Sequence, residues 1–441
     1  MKREPRIKPG EIGIGWLARE YPSVGQAARQ SQWLGALRFL WNRLLDADLD
    51  SIKATGKRLT HAQRRSRMMA LKNDPAFPWL KDLPAHACID TVQRLTGAWS
   101  RMFEMRARAK AEGWSKKKRR QMCGRPVRKK KFKREAGIYC VNQATTMVEK
   151  PQRPIAAVVP KLGKITLRGG AAPKGRLLSA RITRDGNRWM FAAQFAIPHP
   201  TPLPATNTMV GVDLGVGQKR MLVTAFDGSA FTETPTPCKL RKNLRRLRRA
   251  QRMVARRKSK SKRRARALRF VTALHRKIRE QRRDLAHQVS HRLTTKADVI
   301  KVETLNVKGM TQNRHLALSV ADAGMANLLR LVTYKADWRG RQVVKLDQWF
   351  PSSQLCSKCG WRDERMRDLG RETFVCQECD LVEGRDRNAA MNAYWYGEDR
   401  QASLWNEGSG CGRGVSRRAT GAVPETRLRP EEASSLVVKA A

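Results

Sequence analysis

The segment "TMVGVDLGVGQKRMLVTAFDG", residues 208–228, is an apolar run in which one carboxylate, Asp213, follows the first group of valines. The apolar residues before this acid predict a buried strand, and a second strand is predicted to end at the Asp227-Gly228 turn. An acid at the end of a buried strand of an α/β sheet is a candidate functional group. The segment also carries three glycines that let other backbone approach closely: Gly211, Gly215 and Gly217.

Two other segments place an acid in a comparable position. In "ADVIKVETLNVKGM", residues 297–310, a buried strand ends just before Glu303. In "CQECDLVEGRDRNAAMN", residues 376–392, Asp386 stands at the start of a predicted helix whose alanines share one face. Because small side chains let a helix press against a sheet, we expect Asp386 to lie near the ends of the two strands.

Three carboxylates with no His or Lys nearby are typical ligands of a hard divalent cation. Mg²⁺ prefers oxygen ligands, and a two-ion site activates water and stabilises the leaving oxygen in phosphodiester cleavage. Each acid taken singly has a plainer interpretation, because an Asp after a strand often forms a turn or caps a helix and a Glu closing a strand is often solvated. The nuclease hypothesis therefore depends on the three acids together and on the charge of the chain.

Four of the nine cysteines form two C-x-x-C pairs, Cys356/Cys359 and Cys376/Cys379, separated by 16 residues. Two such pairs predict one structural Zn²⁺ held by four thiolates in a zinc ribbon. Gly360 lets the backbone bend after the first pair. Four sulfurs saturate the ion, so this site does not account for Asp386.

The chain of 441 residues contains 91 Lys and Arg against 38 Asp and Glu, a formal net charge of +53. This excess predicts a nucleic-acid partner. It is concentrated in residues 106–134, predicted to be a linker that contacts phosphates, and in residues 239–283, predicted to be a helical hairpin whose thin apolar seam includes Leu268. The absence of a signal sequence or an apolar run of membrane-spanning length predicts a cytoplasmic protein.

The chain resembles the transposon-encoded TnpB proteins and the compact type V CRISPR effectors. The resemblance is carried by four features in the same order along the chain: "GVDLG", "VETLNVKGM", the cysteine pairs and "RDRNAAMN". The resemblance covers roughly residues 205–396. It implies an RNA-guided DNA endonuclease whose RuvC-type, RNase H-like domain uses Asp213, Glu303 and Asp386 with Mg²⁺, with Asn388 and Asn392 on the helix of the third motif. The sequence departs from the family where Gly384 replaces the usual first acid of Asp-Arg-Asp.

The resemblance also implies a bilobed fold of α/β, α and β parts that binds a guide RNA and double-stranded target DNA. The alternatives that stay open are a guided DNA-binding repressor with weak or no cleavage, and an unguided nuclease associated with transposition. The predicted boundaries are an antiparallel wedge barrel (1–25 and 126–205), a helical recognition domain (26–125), the nuclease parts (206–240, 298–355 and 381–400), the basic hairpin (241–297), the zinc ribbon (356–380) and a disordered tail (401–441).

Overall fold

A computed structural model describes residues 7–124, 126, 137–141, 145–148, 155–215, 221–235, 238–304, 325–368 and 370–398. Several predicted features lie outside these residues: Gly217, the segment that follows Glu303 and Thr304, most of the C-terminal half of the basic stretch 106–134, and the tail 401–441. The described residues divide into two compact units, one ending at His199 and the other beginning at Pro200.

The first unit contains a seven-stranded sheet in which every paired strand is antiparallel, in the order β2-β6-β7-β1-β5-β4-β3. The N-terminal strand lies inside this sheet, paired with β7 and β5, so residues near the chain start join strands from residues 138–198. The strands are β1 (Glu11–Tyr21), β2 (Ile138–Val141), β3 (Thr146–Val148), β4 (Ile155–Val159), β5 (Gly163–Arg168), β6 (Arg176–Asp185) and β7 (Arg188–Pro198).

Four helices accompany this sheet: α1 (Val24–Thr55), α2 (His61–Asn73), α3 (Ala85–Ala111) and α4 (Lys116–Met122). A buried ion pair joins α1 to α2, because Arg64 Nε donates to Asp48 Oδ1 and Oδ2 at 3.0 and 2.9 Å. The Trp99 indole of α3 donates to the same carboxylate at 2.8 Å, so donors from two helices, α2 and α3, satisfy this buried charge of α1. The first part of the predicted linker 106–134 is helical, because it contains the last turns of α3 and the whole of α4.

The second unit contains a five-stranded sheet in the order β10-β9-β8-β11-β12. The strands are β8 (Met209–Asp213), β9 (Met221–Phe226), β10 (Phe231–Pro235), β11 (Val299–Val302) and β12 (Gln342–Lys345). β8, β9 and β10 are antiparallel neighbours, whereas β11 runs parallel to both β8 and β12. This unit has the mixed α/β character that the sequence predicted.

Helices cover both faces of this sheet. Its helices are α5 (Cys238–Ala255), α6 (Lys262–Lys296), α7 (Met325–Trp338) and α8 (Arg385–Trp395). Val212 and Ile300 share a core with α6 and α7, through residues such as Val289 and Leu328. The opposite face packs against α8.

The paired helices α5 and α6 bury a thin apolar cluster that includes Leu240, Leu247 and Ile278. The prediction that Leu268 belongs to this seam is wrong, because its side chain is 46% exposed. Most Lys and Arg side chains of the pair point to solvent, so these helices present a cationic surface. None of the helices in the described part of the chain combines the length and apolar character that a membrane crossing requires.

Candidate functional site

The position of Asp213 and Glu303 follows from the register of two parallel strands. Val212 of β8 is paired with Val302 of β11, and each valine is followed directly by one of the acids. Adjacent strands lie about 4.8 Å apart, and residues at equal register in parallel strands face the same side. The structure therefore places both carboxylates at one edge of the sheet, on the same face.

That face is the one covered by α8. A Cβ on Gly211, two residues before Asp213, would overlap Tyr394 N and Ala390 O and would lie 2.6 Å from Tyr394 Cα. Because side chains alternate along a strand, Asp213 points to the same side as the missing side chain of Gly211. The absence of a Cβ at Gly211 allows the α8 backbone to rest on the strand.

A buried lysine defines the same face on the neighbouring strand. Lys301, the register partner of Gly211, donates to Tyr394 O at 2.9 Å and to Tyr396 O at 2.7 Å. It thereby compensates the carbonyl end of α8, where the helix dipole is negative. Lys301 is two residues from Glu303 in sequence, but its ammonium lies at the far end of α8, about 12 Å along the helix from Asp386.

Asp386 is the second residue of α8 and not its cap. The N-cap is Gly384, which makes no side-chain capping hydrogen bond. A carboxylate in the first turn is stabilised by the positive end of the helix dipole. The helix-cap interpretation of Asp386 is therefore wrong.

The two arginines around Asp386 hold neighbouring elements. Arg385 donates to Asp368 O at 2.8 Å, in the segment between the cysteine pairs. Arg387 donates to Glu233 Oε1 of β10 at 2.7 Å. Asp386 thus lies in the first turn of a helix that is tied on one side to the cysteine segment, residues 354–382, and on the other side to the sheet.

The electrostatics of Glu303 connect it to Asp386. Burial raises the pKa of the Glu303 carboxyl above its ordinary value, while the hydrogen bond from Ser352 and the charge of Arg385 act in the opposite direction. The Asp386 carboxylate raises the pKa further, because two like charges resist joint ionisation. The charge of Asp386 therefore acts on the Glu303 carboxyl.

The four cysteine thiols come together as one group, with all sulfur atoms within 4.8 Å of one another. Cys356 Sγ lies 3.6 Å from Cys379 Sγ, and Cys359 Sγ lies 3.5 Å from Cys376 Sγ. A tetrahedral ion with metal–sulfur bonds of ~2.3 Å requires sulfurs about 3.8 Å apart, so the donor set fits such an ion. Among the described residues this is the one group of three or more potential ligands as close as 4.8 Å, and the three carboxylates do not form such a group.

The backbone around the cysteines bends as the spacing predicted. Gly360 has a φ of +82°, and its N–H donates to Cys356 O at 2.9 Å. Cys376 N donates to Leu381 O at 2.9 Å around the second pair, where Asp380 has a φ of +55°. Burial raises the pKa of the Cys359 thiol, so its ionisation depends on a nearby positive charge.

Sequence reasoning missed Ser352, whose hydroxyl donates a hydrogen bond to Glu303 Oε1. The segment that contains it, "FPSSQLC", has no periodicity that would indicate a buried polar contact. Lys301 could have been found, because a charged residue inside the strand "VIKV" must share a face with Glu303 two positions later.

Comparison with known proteins gives two family matches. Residues 193–314 match a family model, OrfB_IS605, described as probable transposase, and residues 326–393 match a model described as Cas12f1-like, TNB domain. Together these two regions include all seven predicted ligands.

Two relatives are similar over most of their length. One, from Streptomyces pristinaespiralis, is named "Putative RNA-guided DNA endonuclease" and is 28% identical over 85% of this chain and 87% of the relative. The other, from Escherichia coli strain K12, is named "Putative RNA-guided DNA endonuclease InsQ" and is 26% identical over 84% of this chain and 89% of the relative.

Among solved structures, a mini-RNA-guided endonuclease, CRISPR-Cas phi3, aligns at a TM-score of 0.49 and 8% identity, covering 92% of this chain and 94% of that one. A complex of Cas12f1 with single guide RNA and target DNA aligns at a TM-score of 0.34 and 15% identity, covering 87% of this chain and 99% of that one.

Proposed function

We propose that this chain is an RNA-guided DNA endonuclease of the family of the TnpB proteins and compact type V CRISPR effectors, a proposal supported by the two family matches and by the similar relatives. In this proposal it binds a guide RNA, pairs the guide with target DNA beside a short flanking motif, and cleaves both DNA strands in turn at one RuvC-type site. The names of the two relatives support the guided activity.

The observation that carries the proposal is the equal register of β8 and β11 beneath α8, which supports a shared site for Asp213, Glu303 and Asp386. Two of the acids occupy equivalent positions on adjacent parallel strands, and the third begins the helix that packs on the same face. The like-charge effect of Asp386 on Glu303 supports the closeness of the second and third acids. A mixed five-stranded sheet with a helix against this face supports an RNase H-like domain.

The donors at this edge are carboxylate oxygens, which fit Mg²⁺. Bound Mg²⁺ would supply an activated water and charge stabilisation for the leaving 3′ oxygen. The residues themselves set the geometry: the strand register holds Asp213 beside Glu303, and Gly211 lets α8 bring Asp386 toward them. The products of this hydrolysis are 5′-phosphate and 3′-hydroxyl ends.

We propose that one structural Zn²⁺ is held in a closed site by four thiolates, those of Cys356, Cys359, Cys376 and Cys379. Few apolar residues surround them, chiefly Met366 and Phe374, so this segment has little core of its own. Zinc would therefore hold the segment between the cysteine pairs and, through Arg385, the start of α8.

The nucleic-acid partners are supported by charge. The exposed arginines of α5 and α6 lie on a pair of helices with a narrow core, an arrangement that phosphate groups would stabilise by neutralisation. We assign guide and target binding to the recognition and wedge regions, 26–125 and 1–25 with 126–205, and to the basic hairpin 241–297. The nuclease parts, the zinc ribbon and the tail keep the boundaries given above.

The test combines the protein, its native guide RNA, a matched duplex and Mg²⁺. Cleavage is expected for the native protein, and Asp213→Asn, Glu303→Gln and Asp386→Asn should each abolish it while leaving guide and target affinity unchanged. Glu364→Gln is the matched control, because Glu364 is an exposed acid of the cysteine segment paired only at the surface with Arg367. Intact DNA after demonstrated target binding by the native complex would reject the nuclease.

One observation favours a second function, a guided DNA-binding protein with weak or no cleavage. Gly384 replaces the family's first acid in the third motif, and α8 consequently begins without a side-chain cap. A pure binder would repress a matched promoter equally well with Asp213 or with Ala at that position, and would leave the DNA uncut in both cases. Strand transfer without RNA would instead indicate the transposition-associated alternative.

A further inference from the structure

Ser352 lies between Glu303 and the cysteine segment. Its side chain is buried, with 4% of its surface exposed, and its hydroxyl donates to Glu303 Oε1. A hydrogen bond to one oxygen restricts rotation of the carboxyl group, and the remaining lone pairs of its two oxygens stay available to a cation.

The backbone of Ser352 is held in turn by α8. Asn392 Nδ2 donates to Ser352 O and to Leu355 O, both at 2.7 Å. Asn388, one turn earlier, donates to Leu355 O at 2.6 Å and accepts from Ser357 N at 3.0 Å. Both asparagines are almost fully buried, so these amides have no access to competing water.

These contacts form one continuous chain of hydrogen bonds. It begins at Glu303 and passes through Ser352 and Asn392 to Leu355 O, which both asparagines share. From there it continues through Asn388 to the N–H of Ser357, which lies next to Cys356. The same helix carries Asp386 in its first turn. Movement of α8 or of the cysteine segment therefore moves the group that orients Glu303.

We propose that Ser352 is a positioning residue that orients the Glu303 carboxylate and couples it to α8 and to the four-cysteine cluster. This inference rests on the proposed nuclease function and adds a specific residue to it. Ser352 does not touch the substrate in this scheme. It acts through Glu303, while Asn388 and Asn392 hold the segment that carries it.

The experiment compares Ser352→Ala with Ser352→Thr, which keeps the hydroxyl, and with Ser353→Ala. Ser353 is the matched control because it is the neighbouring serine and its hydroxyl accepts a long hydrogen bond from Arg385 Nη2, at 3.4 Å, whereas the hydroxyl of Ser352 donates to Glu303. Mn²⁺ binding to the guide-loaded protein is measured by electron paramagnetic resonance, and single-turnover cleavage is measured in parallel. Thermal melting reports folding.

Loss of a hydrogen bond to a charged group predicts Mn²⁺ binding and cleavage about 10-fold weaker or slower for Ser352→Ala. Ser352→Thr should stay within about 3-fold of the native protein, as should Ser353→Ala. Native Mn²⁺ affinity in Ser352→Ala, or equal losses in Ser352→Ala and Ser353→Ala, would overturn the proposal. If Ser352→Ala does not fold, Ser352→Cys, which keeps the volume with a weaker donor, decides by the same criteria.

The Mn²⁺ measurement separates this inference from the proposed function. A native protein that binds Mn²⁺ but leaves matched DNA intact would contradict the nuclease. The difference in Mn²⁺ affinity between Ser352→Ala and Ser353→Ala would still decide whether Ser352 positions Glu303.

Discussion

Gly211→Ala should disrupt the candidate nuclease site although Gly211 is not one of its acids. An added Cβ would overlap two backbone atoms of α8 and would lie 2.6 Å from Tyr394 Cα, where ordinary contact begins at 3.4 Å. The helix must therefore retreat by about 0.8 Å or more, because backbone atoms cannot turn aside as a flexible side chain does. Asp386 moves with the helix.

The expected cost has two parts. Overpacking of this kind destabilises a protein by about 1–3 kcal/mol. A displacement near 1 Å at a catalytic group lowers the rate by ~100-fold. We expect Gly211→Ala to cut matched DNA about 100-fold more slowly, at a temperature where the protein remains folded and binds its guide and target normally.

The assay is single-turnover cleavage of a labelled duplex by the guide-loaded protein, with melting and target affinity measured on the same preparations. Gly25→Ala is the matched control, because a Cβ at Gly25 meets nothing within 4 Å. Cleavage by Gly211→Ala at the native rate would refute the close packing of α8 on β8 as the device that positions Asp386.

Two further predictions concern titration and metal removal. Burial raises the pKa of Glu20 to about 7, partly opposed by the Gln30 hydrogen bond. Because the folded state then holds a proton more tightly than the unfolded state, the contribution of Glu20 to stability should be fully present below pH 4.5 and fall by about 3 kcal/mol as the pH rises through 7. Glu20→Gln should flatten this dependence in denaturant unfolding followed by a sheet-specific probe, and an unchanged pH profile would contradict a proton held at Glu20. Removal of metal by a strong chelator, or Cys376→Ser, should abolish hydrogen-exchange protection in residues 354–382 while the seven-stranded sheet stays protected, because Phe374 and its few neighbours cannot hold that segment alone. Full protection after verified metal removal would show that the segment folds without an ion.

Much of the site could be anticipated from local sequence. The apolar runs before Asp213 and Glu303 predict buried strands because strand burial leaves a direct mark on residue order. The two-residue spacing within each cysteine pair predicts that the pairs come together, because binding one ion requires a short turn at each pair. The glycine at position 211 was also recognisable as a place of close backbone approach.

Other features depended on contacts between distant residues. Leu268 fits the helical spacing of the apolar residues in α6, yet its side chain is exposed, because the narrow apolar cluster between α5 and α6 does not extend to it. The hydroxyl of Ser352 meets Glu303 across 49 residues, and Lys301 finds its acceptors at the end of a helix more than 90 residues away. Such pairings leave no periodic trace in the sequence.

The sequence by itself determined where the acids, thiols and bases stand and which strands carry them, and its charge of +53 predicted a polyanionic partner. Only the tertiary structure decided that β8 and β11 are parallel neighbours in equal register and that α8 lies on the face of Gly211 and Lys301. The physical reason is that alternation along a strand is a local property, whereas register and packing are decided by which distant surfaces fit together.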